Sequence, residues 1–135
     1  MAQFVLTDAS ITVAAVDLSD HVQSITLDDG ADIVDASNMG DTYHARLGAL
    51  KDWSVQVTFQ QDFASGKVDP TLDTLVGTSV ALVIKADSGA VSATNPSWSG
   101  NAILESYQII GGGVGDLAIS PVTFQGNGTL TRAEA

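Results

Sequence analysis

The chain has 135 residues, 44% of them hydrophobic and only 16% charged, which suits one folded domain with a buried core and excludes a disordered acidic tail. Five Lys and Arg stand against sixteen Asp and Glu, a formal charge of −11, and such a field opposes ordinary binding to nucleic acid or an anionic membrane. With no cysteine, a disulfide framework and a thiolate metal site are both excluded.

The opening residues MAQFVLTDAS lack a basic stretch and a long apolar run, so no signal peptide is expected. No window approaches the roughly 20 apolar residues that cross a bilayer. Alternation with a period of two dominates the rest of the chain. A first strand is expected at Phe4–Leu6, continuing through Ile11–Val16 after a turn at Asp8. A turn at Ser19-Asp20 then leads to a strand from about Val22 to Leu27, closed by Asp29-Gly30, with Ala31–Ala36 a weaker strand. Ser37–Leu50 holds two glycines and little sustained alternation, and reads as a long loop or flexible hairpin. From Trp53 to Gln61 the pattern is unbroken. Trp53, Val55, Val57 and Phe59 share one face, and Ser54, Gln56, Thr58 and Gln60 share the other.

After the loop DFASGKVDP comes the one expected helix, Pro70–Val76, with Asp69 as cap, Pro70 in the first turn and Gly77 as stop. Ser79–Ala86 is apolar on both faces and is expected to be a central or covered strand. A turn-rich connection, DSGAVSATNPSWSG, precedes a strand at Asn101–Ile110 and the loop GGGVGD. Leu117–Gln125 and Gly128–Arg132 finish the chain as one bent strand or a hairpin. Seven or so short strands and one short helix in a single 1–135 domain specify a mainly β fold, a β-sandwich or β-barrel, with the helix packed across one face or one end of the sheet.

Few constellations suggest chemistry. DDGADIVD has carboxylates and a glycine, but not the alternate acids of an EF-hand loop, and reads as a solvated acidic face. His21 and His44 lie on separate segments without an HExxH pairing, no GxSxG elbow is present, and no catalytic or metal-ligating residue is assigned. A small hydrolase built on the acids with His21 or His44 therefore has little support. IIGGGVGD is not a Walker loop and lacks the third glycine of the dinucleotide fingerprint, and no cofactor is expected. Trp53 reads as packing, while Trp98, set among Asn, Pro and Ser, reads as a contact residue.

Three segments taken in order resemble the major tail tube proteins of bacteriophages with long, non-contractile tails. They are VDLSDHVQSITLDDGADIVDASNMGDTYHARLGALKDWSVQVTFQQDF, DPTLDTLVGTSVALVIKA and ATNPSWSGNAILESYQIIGGGVGDLAISPVTFQGNG, and together they run from Val16 to Gly128 with few gaps. The likeness lies in the order of pieces that are individually unspecific. It departs at Leu47-Gly48-Ala49-Leu50-Lys51, where such proteins often have a proline ahead of the glycine.

The resemblance implies a mainly β fold, a β-sandwich or half-barrel with one short flanking helix, in a non-enzymatic virion protein whose copies form hexameric rings, stacked into a hollow tube with a continuous inner β-barrel. Such a tube encloses a tape measure protein, joins tail terminator and baseplate or tail-tip proteins, and conducts DNA without specific binding. It would be assembled in the host cytoplasm, with no membrane partner. On this reading Ser54, Gln56, Thr58 and Gln60 line the lumen. Met39, Tyr43, Arg46, Leu47, Lys51, Lys67 and Trp98 are expected to contact neighbouring subunits or rings, and the segments Met1–Leu6 and Asn127–Ala135 to be ordered by neighbours. The alternative is a baseplate or surface-decorating β-sandwich that binds carbohydrate.

Overall fold

The computed structural model describes residues 3–134. The strands are β1 (Ser10–Val13), β2 (Val16–Asp17), β3 (Val22–Asp35), β4 (Arg46–Gln60), β5 (Ser79–Lys85), β6 (Ser97–Tyr107), β7 (Ile119–Gly126) and β8 (Thr131–Ala133), and the one α-helix, α1, is Val68–Leu72. They form one antiparallel sheet in the order β2-β1-β5-β6-β7-β4-β3, with β8 also paired to β6. No helix among the described residues is long and apolar enough to cross a membrane.

A sheet buries one face only by curling or by meeting another layer. Here it curls. Ile11 and Val13 of β1, Val55, Val57 and Phe59 of β4, Leu82 of β5, Leu104 of β6 and Phe124 of β7 all turn into one core. Each large side chain so buried contributes about 1.5–3 kcal/mol. Val68 and Leu72 of α1, with Leu18, are fully buried in the same core. The half-barrel expectation holds, as a single hydrogen-bonded sheet rather than two stacked ones.

Several boundaries differ from those the sequence suggests. Phe4–Leu6 is not a strand, and β1 and β2 form a hairpin through Ala14 and Ala15, whose φ values are 50° and 69°. Two central residues with positive φ suit the right-handed twist of a tight hairpin, but Asn-Gly is its usual signal, and alanine hides it. Asp29-Gly30 does not close a turn. Gly30 pairs with Asp52, and β3 runs on to Asp35. The Ser37–Leu50 segment is irregular over 37–45, as expected, but its last residues are strand, since β4 begins at Arg46.

The helix starts two residues earlier than Pro70 and stops at Leu72. Lys67 is its N-cap and no side chain caps it; Asp69, the expected cap, falls inside the helix, where its carboxylate accepts a hydrogen bond from the Tyr107 hydroxyl at 2.7 Å. Gly77, at φ 80°, is therefore not the stop, since it lies beyond a turn at Asp73–Leu75 that already follows the helix. β5 is central, as expected, but its outer face is open, with Val83 exposed. β6 begins at Ser97, which puts Trp98 in a strand opposite Ile84, and it ends at Tyr107, leaving Ile109 and Ile110 in an exposed loop. β7 and β8 lie in file along the same edge of β6, a bent strand and not a hairpin. Of the two terminal segments, Met1, Ala2 and Ala135 lie outside the described residues.

Candidate functional site

Two features of the sheet have no partner among the described residues: its polar outer face and the far half of the β3–β4 hairpin. The outer face follows from alternation. On β4, Trp53, Val55, Val57 and Phe59 are buried, which turns Ser54, Gln56, Thr58 and Gln60 outward. Ser24, Thr26 and Asp28 of β3 stand opposite Thr58, Gln56 and Ser54, and Thr123 and Gln125 of β7 stand opposite Gln56 and Ser54 on the other side. Ser106 of β6 pairs with Thr123 in turn, and Gln125 donates to Glu105 at 2.9 Å. A shallow furrow is lined by Ser24, Thr26, Gln56, Thr58 and Thr123.

The result is a surface mainly of hydroxyls and amides crossing four strands, broken by Ile119 and Pro121 of β7 opposite Gln60 and Thr58 and by Ile103 of β6 opposite Gln125, with Asp28 and Glu105 as its charges and no Lys or Arg among these residues. Sequence reading found the β4 row only. The rows on β3, β6 and β7 carry the same Ser/Thr/Gln signal, but register is needed to align them.

The hairpin projects because β7 stops pairing at Ser54, whereas β3 and β4 continue together to Asp35 and Arg46. Beyond Asp52 it has no neighbouring strand on either side among the described residues, and apolar residues lie exposed along it: Ile33, Val34, Met39, Tyr43, Leu47 and Leu50. Met39, Tyr43 and Leu47, singled out from sequence, are thus brought together on this arm. Its tip is ordered by short polar contacts. Ser37 N–H donates to Asp35 and Asp41 accepts the Asn38 N–H, at 2.9 Å and 2.7 Å. The Ser37 hydroxyl and amide, with His44 at 3.6 Å, hold the Asp35 carboxyl below its usual pKa.

Arg46 and Lys51 sit on the same arm, and among the described residues neither makes an ion pair. Lys67 caps α1 and Trp98 lies half-buried at a groove, with Arg132 5.5 Å above its ring. The contact candidates therefore split between the arm, the helix and the groove.

Trp53 secures the base of the arm. Its indole N–H donates to Gly128 O at 3.0 Å, and the ring lies so close to Gly126 and Gly100 that a Cβ on either would come within 3.0 Å of it.

The histidines lie apart. His44 is on the arm, while His21 is at the other end of the sheet, with Nδ1 2.8 Å from Asp20 and Nε2 2.9 Å from Asp62. Burial pulls the His21 pKa down, but Asp62 and Asp20 outweigh it and the net shift is upward. Asp20 is lowered through its bond to His21, and Asp62 first by the Ala64 N–H and then by His21. This clasp joins the 3-10 turn at Ser19–His21 to the segment leading into α1. Nearby, burial and then Asp69 push the Tyr107 hydroxyl up to about 12, against the Gln61 amide that donates to it. The acids of DDGADIVD are strung along β3 and do not converge, and no group of three or more metal-ligating side chains occurs among the described residues. The glycine loop leads into a strand, not a helix, so no helix N-terminus faces it.

No protein-family model matches the sequence, and no curated protein matches it. Solved structures do. A chain from the virion of a native gene transfer agent particle aligns with a TM-score of 0.75 at 13% identity, over 93% of this chain and 95% of that one. A chain from the tail of an empty gene transfer agent particle, refined helically with C6 symmetry, gives 0.67 at 13% identity over 82% and 81%. The SPP1 tail tube gives 0.69 at 11% identity over 93% and 77%. The chain thus has the fold found in the SPP1 tail tube and in chains of gene transfer agent particles.

Proposed function

We propose that this chain is the structural subunit of a phage-type tail tube and not an enzyme. Six copies close into a ring, rings stack, and the outer face of β3, β4, β6 and β7 lines the bore, with Ser54, Gln56, Thr58 and Gln60 at its centre. The tube sits in the particle's tail, is assembled in the host cytoplasm, holds a tape measure protein, meets terminator and tail-tip proteins at its ends, and passes DNA to the recipient cell. The observation that carries this reading is the polar face without Lys or Arg, set on a fold shared with the SPP1 tail tube over nearly the whole chain.

The physical case is that a polyanion binds where cations replace its counterions. A wall of Ser, Thr and Gln with occasional carboxylates offers no such exchange, so DNA meets water and hydroxyls and slides. Ring closure also covers the long edge of β3, which otherwise presents unpaired backbone groups to any passing strand. Exposed apolar residues on the arm gain a partner in a neighbouring subunit or ring. Electron micrographs of the purified protein are expected to show rings or tubes about 100 Å wide, a figure set by barrel diameter growing with strand number. A protein that stays monomeric and binds glycans would favour the carbohydrate-binding module instead.

A further inference from the structure

The bend between β7 and β8 carries the pair Asn127-Gly128, which belongs neither to the polar face nor to the arm. Both residues are exposed, and Gly128 stands at φ 110° with open space where a side chain would be. The Asn127 N–H donates to Asn101 O at 2.9 Å, whereas the Gly128 N–H makes no hydrogen bond among the described residues. The Gly128 carbonyl is engaged, accepting the Trp53 indole N–H at 3.0 Å. A free amide nitrogen thus follows directly on a solvated asparagine side chain, with no Cβ on the glycine to crowd their approach.

We propose that Asn127-Gly128 is a self-modification site, at which the free chain converts its own asparagine to aspartate or isoaspartate and, in the isoaspartate form, loosens the Trp53 anchor. The Gly128 nitrogen attacks Cγ of Asn127, the Cγ–Nδ2 bond breaks, and ammonia leaves with the Gly128 amide proton. The product is a cyclic imide. Water then opens the ring, at Cγ to give aspartate or at the main-chain carbonyl carbon to give isoaspartate. No co-reactant besides water is consumed, and the chain adds one negative charge to its formal −11. The other asparagines lack this arrangement. Asn95 precedes Pro96, which has no N–H to attack with. Asn101 precedes Ala102, which is buried and paired to strands on both sides. Asn38 precedes Met39, whose side chain crowds ring closure. Asp29-Gly30, the comparable aspartyl pair, is held in the β3–β4 ladder. Isoaspartate routes the main chain through Cβ and Cγ, inserting an extra backbone atom just ahead of the Gly128 carbonyl. The Trp53 ring, hemmed in by Gly100 and Gly126, has no room to follow that carbonyl. Both β7 and β8 are fixed to β6, at Ala102↔Gly126 and Ser99↔Thr131, so the added length has to be taken up at the bend.

The test ages the free, full-length chain in mildly alkaline buffer and maps modification by peptide mass spectrometry, with protein isoaspartyl methyltransferase counting isoaspartate. A peptide of residues 124–131 serves as the unfolded reference. The expected result is modification at Asn127 within about tenfold of the peptide's rate, and at least tenfold faster than at Asn38 or Asn101. Asn127→Gln, which has to close a larger ring, should abolish the isoaspartate signal. Protection of Asn127 by more than tenfold relative to the peptide, or earlier modification of Asn38 or Asn101, overturns the site. The isoaspartate-bearing chain should then unfold at a lower denaturant midpoint than the parent, with Trp53 emission shifted to the red when read in a Trp98→Phe background. Freshly purified Asn127→Asp carries the same charge on an unlengthened main chain and should unfold with the parent. Equal midpoints and emission in the isoaspartate-bearing and parent chains would overturn the link to Trp53.

Discussion

Gly126 lies so close to the Trp53 indole that an added Cβ would overlap its Nε1, and Gly100 is crowded at 2.9 Å by the same ring. The β7–β8 bend and the Trp53 bond to Gly128 depend on that closeness. Gly126→Ala is therefore expected to cost about 1–3 kcal/mol, the usual range for overpacking, measured as a lower denaturant midpoint with an unchanged slope. A variant as stable as the parent would mean the indole has room to move. On the opposite face of β4, Gln56→Lys introduces a cation between Thr26 and Thr123 without touching the core. Assembled wild-type tubes are expected to ignore short duplex DNA. Tubes of the variant should retain it, with affinity falling as salt rises, by a logarithmic slope of about 0.9 per phosphate neutralised. Equal, negligible binding by both would argue that this face does not meet DNA. Trp53 and the β4 row were legible in the sequence, because alternation sorts side chains between faces without knowledge of neighbours. The glycines that receive Trp53 were not, since that contact joins residues 53, 100 and 126, and only pairing brings them together.

The same distinction runs through the elements. Strong alternation located β4, and the apolar run at 79–85 marked β5 as central, whereas boundaries failed where a turn lacked its usual residues. Ala14-Ala15 forms a turn without glycine, and Asp29-Gly30 looks like a turn but is held straight by pairing across Ala31↔Lys51 and Asp28↔Ser54. The arm emerges from that pairing, and it can be removed. Replacing Gly30–Asp52 with Asn-Gly should leave a monomer close to wild-type in thermal stability, since the core lies below the excision, yet unable to form tubes. Tubes of normal appearance from the shortened chain would deny the arm a role in assembly.

The His21 clasp makes a separate prediction. Its folded pKa lies above the unfolded value of about 6.5, so its stabilisation is full below that pH and is lost as pH rises through the folded value. Asp20 and Asp62, with lowered pKa values, contribute above about 3.9 and lose their part as pH falls through the folded values. The clasp is thus strongest in mildly acid solution. Unfolding measured from pH 5 to 9 should show stability declining through the histidine range, and His21→Gln should flatten that decline. A parallel profile in the variant would place the dependence elsewhere.

At the scale of the whole molecule, the chain combines a core closed by a curled sheet with surfaces that the proposed tube would cover. The open edge of β3, the apolar arm and the hydroxyl-and-amide face each lack a partner in one subunit. In the proposed tube, the formal charge of −11 on each copy opposes assembly, which many weak contacts at once would have to overcome. The mainly β class, the single helix and the polar β4 row could be read from sequence, because they follow from local pattern. The four-strand breadth of the polar face could not, because it depends on register. The central claim, a bore walled by this face, is tested most directly by a helical reconstruction of tubes grown from the purified protein. A hollow six-fold tube with Ser54, Gln56, Thr58 and Gln60 facing the channel is the expected result. A tube with those side chains sealed between subunits or turned to the outside, or a chain that remains solitary at every concentration, would contradict it.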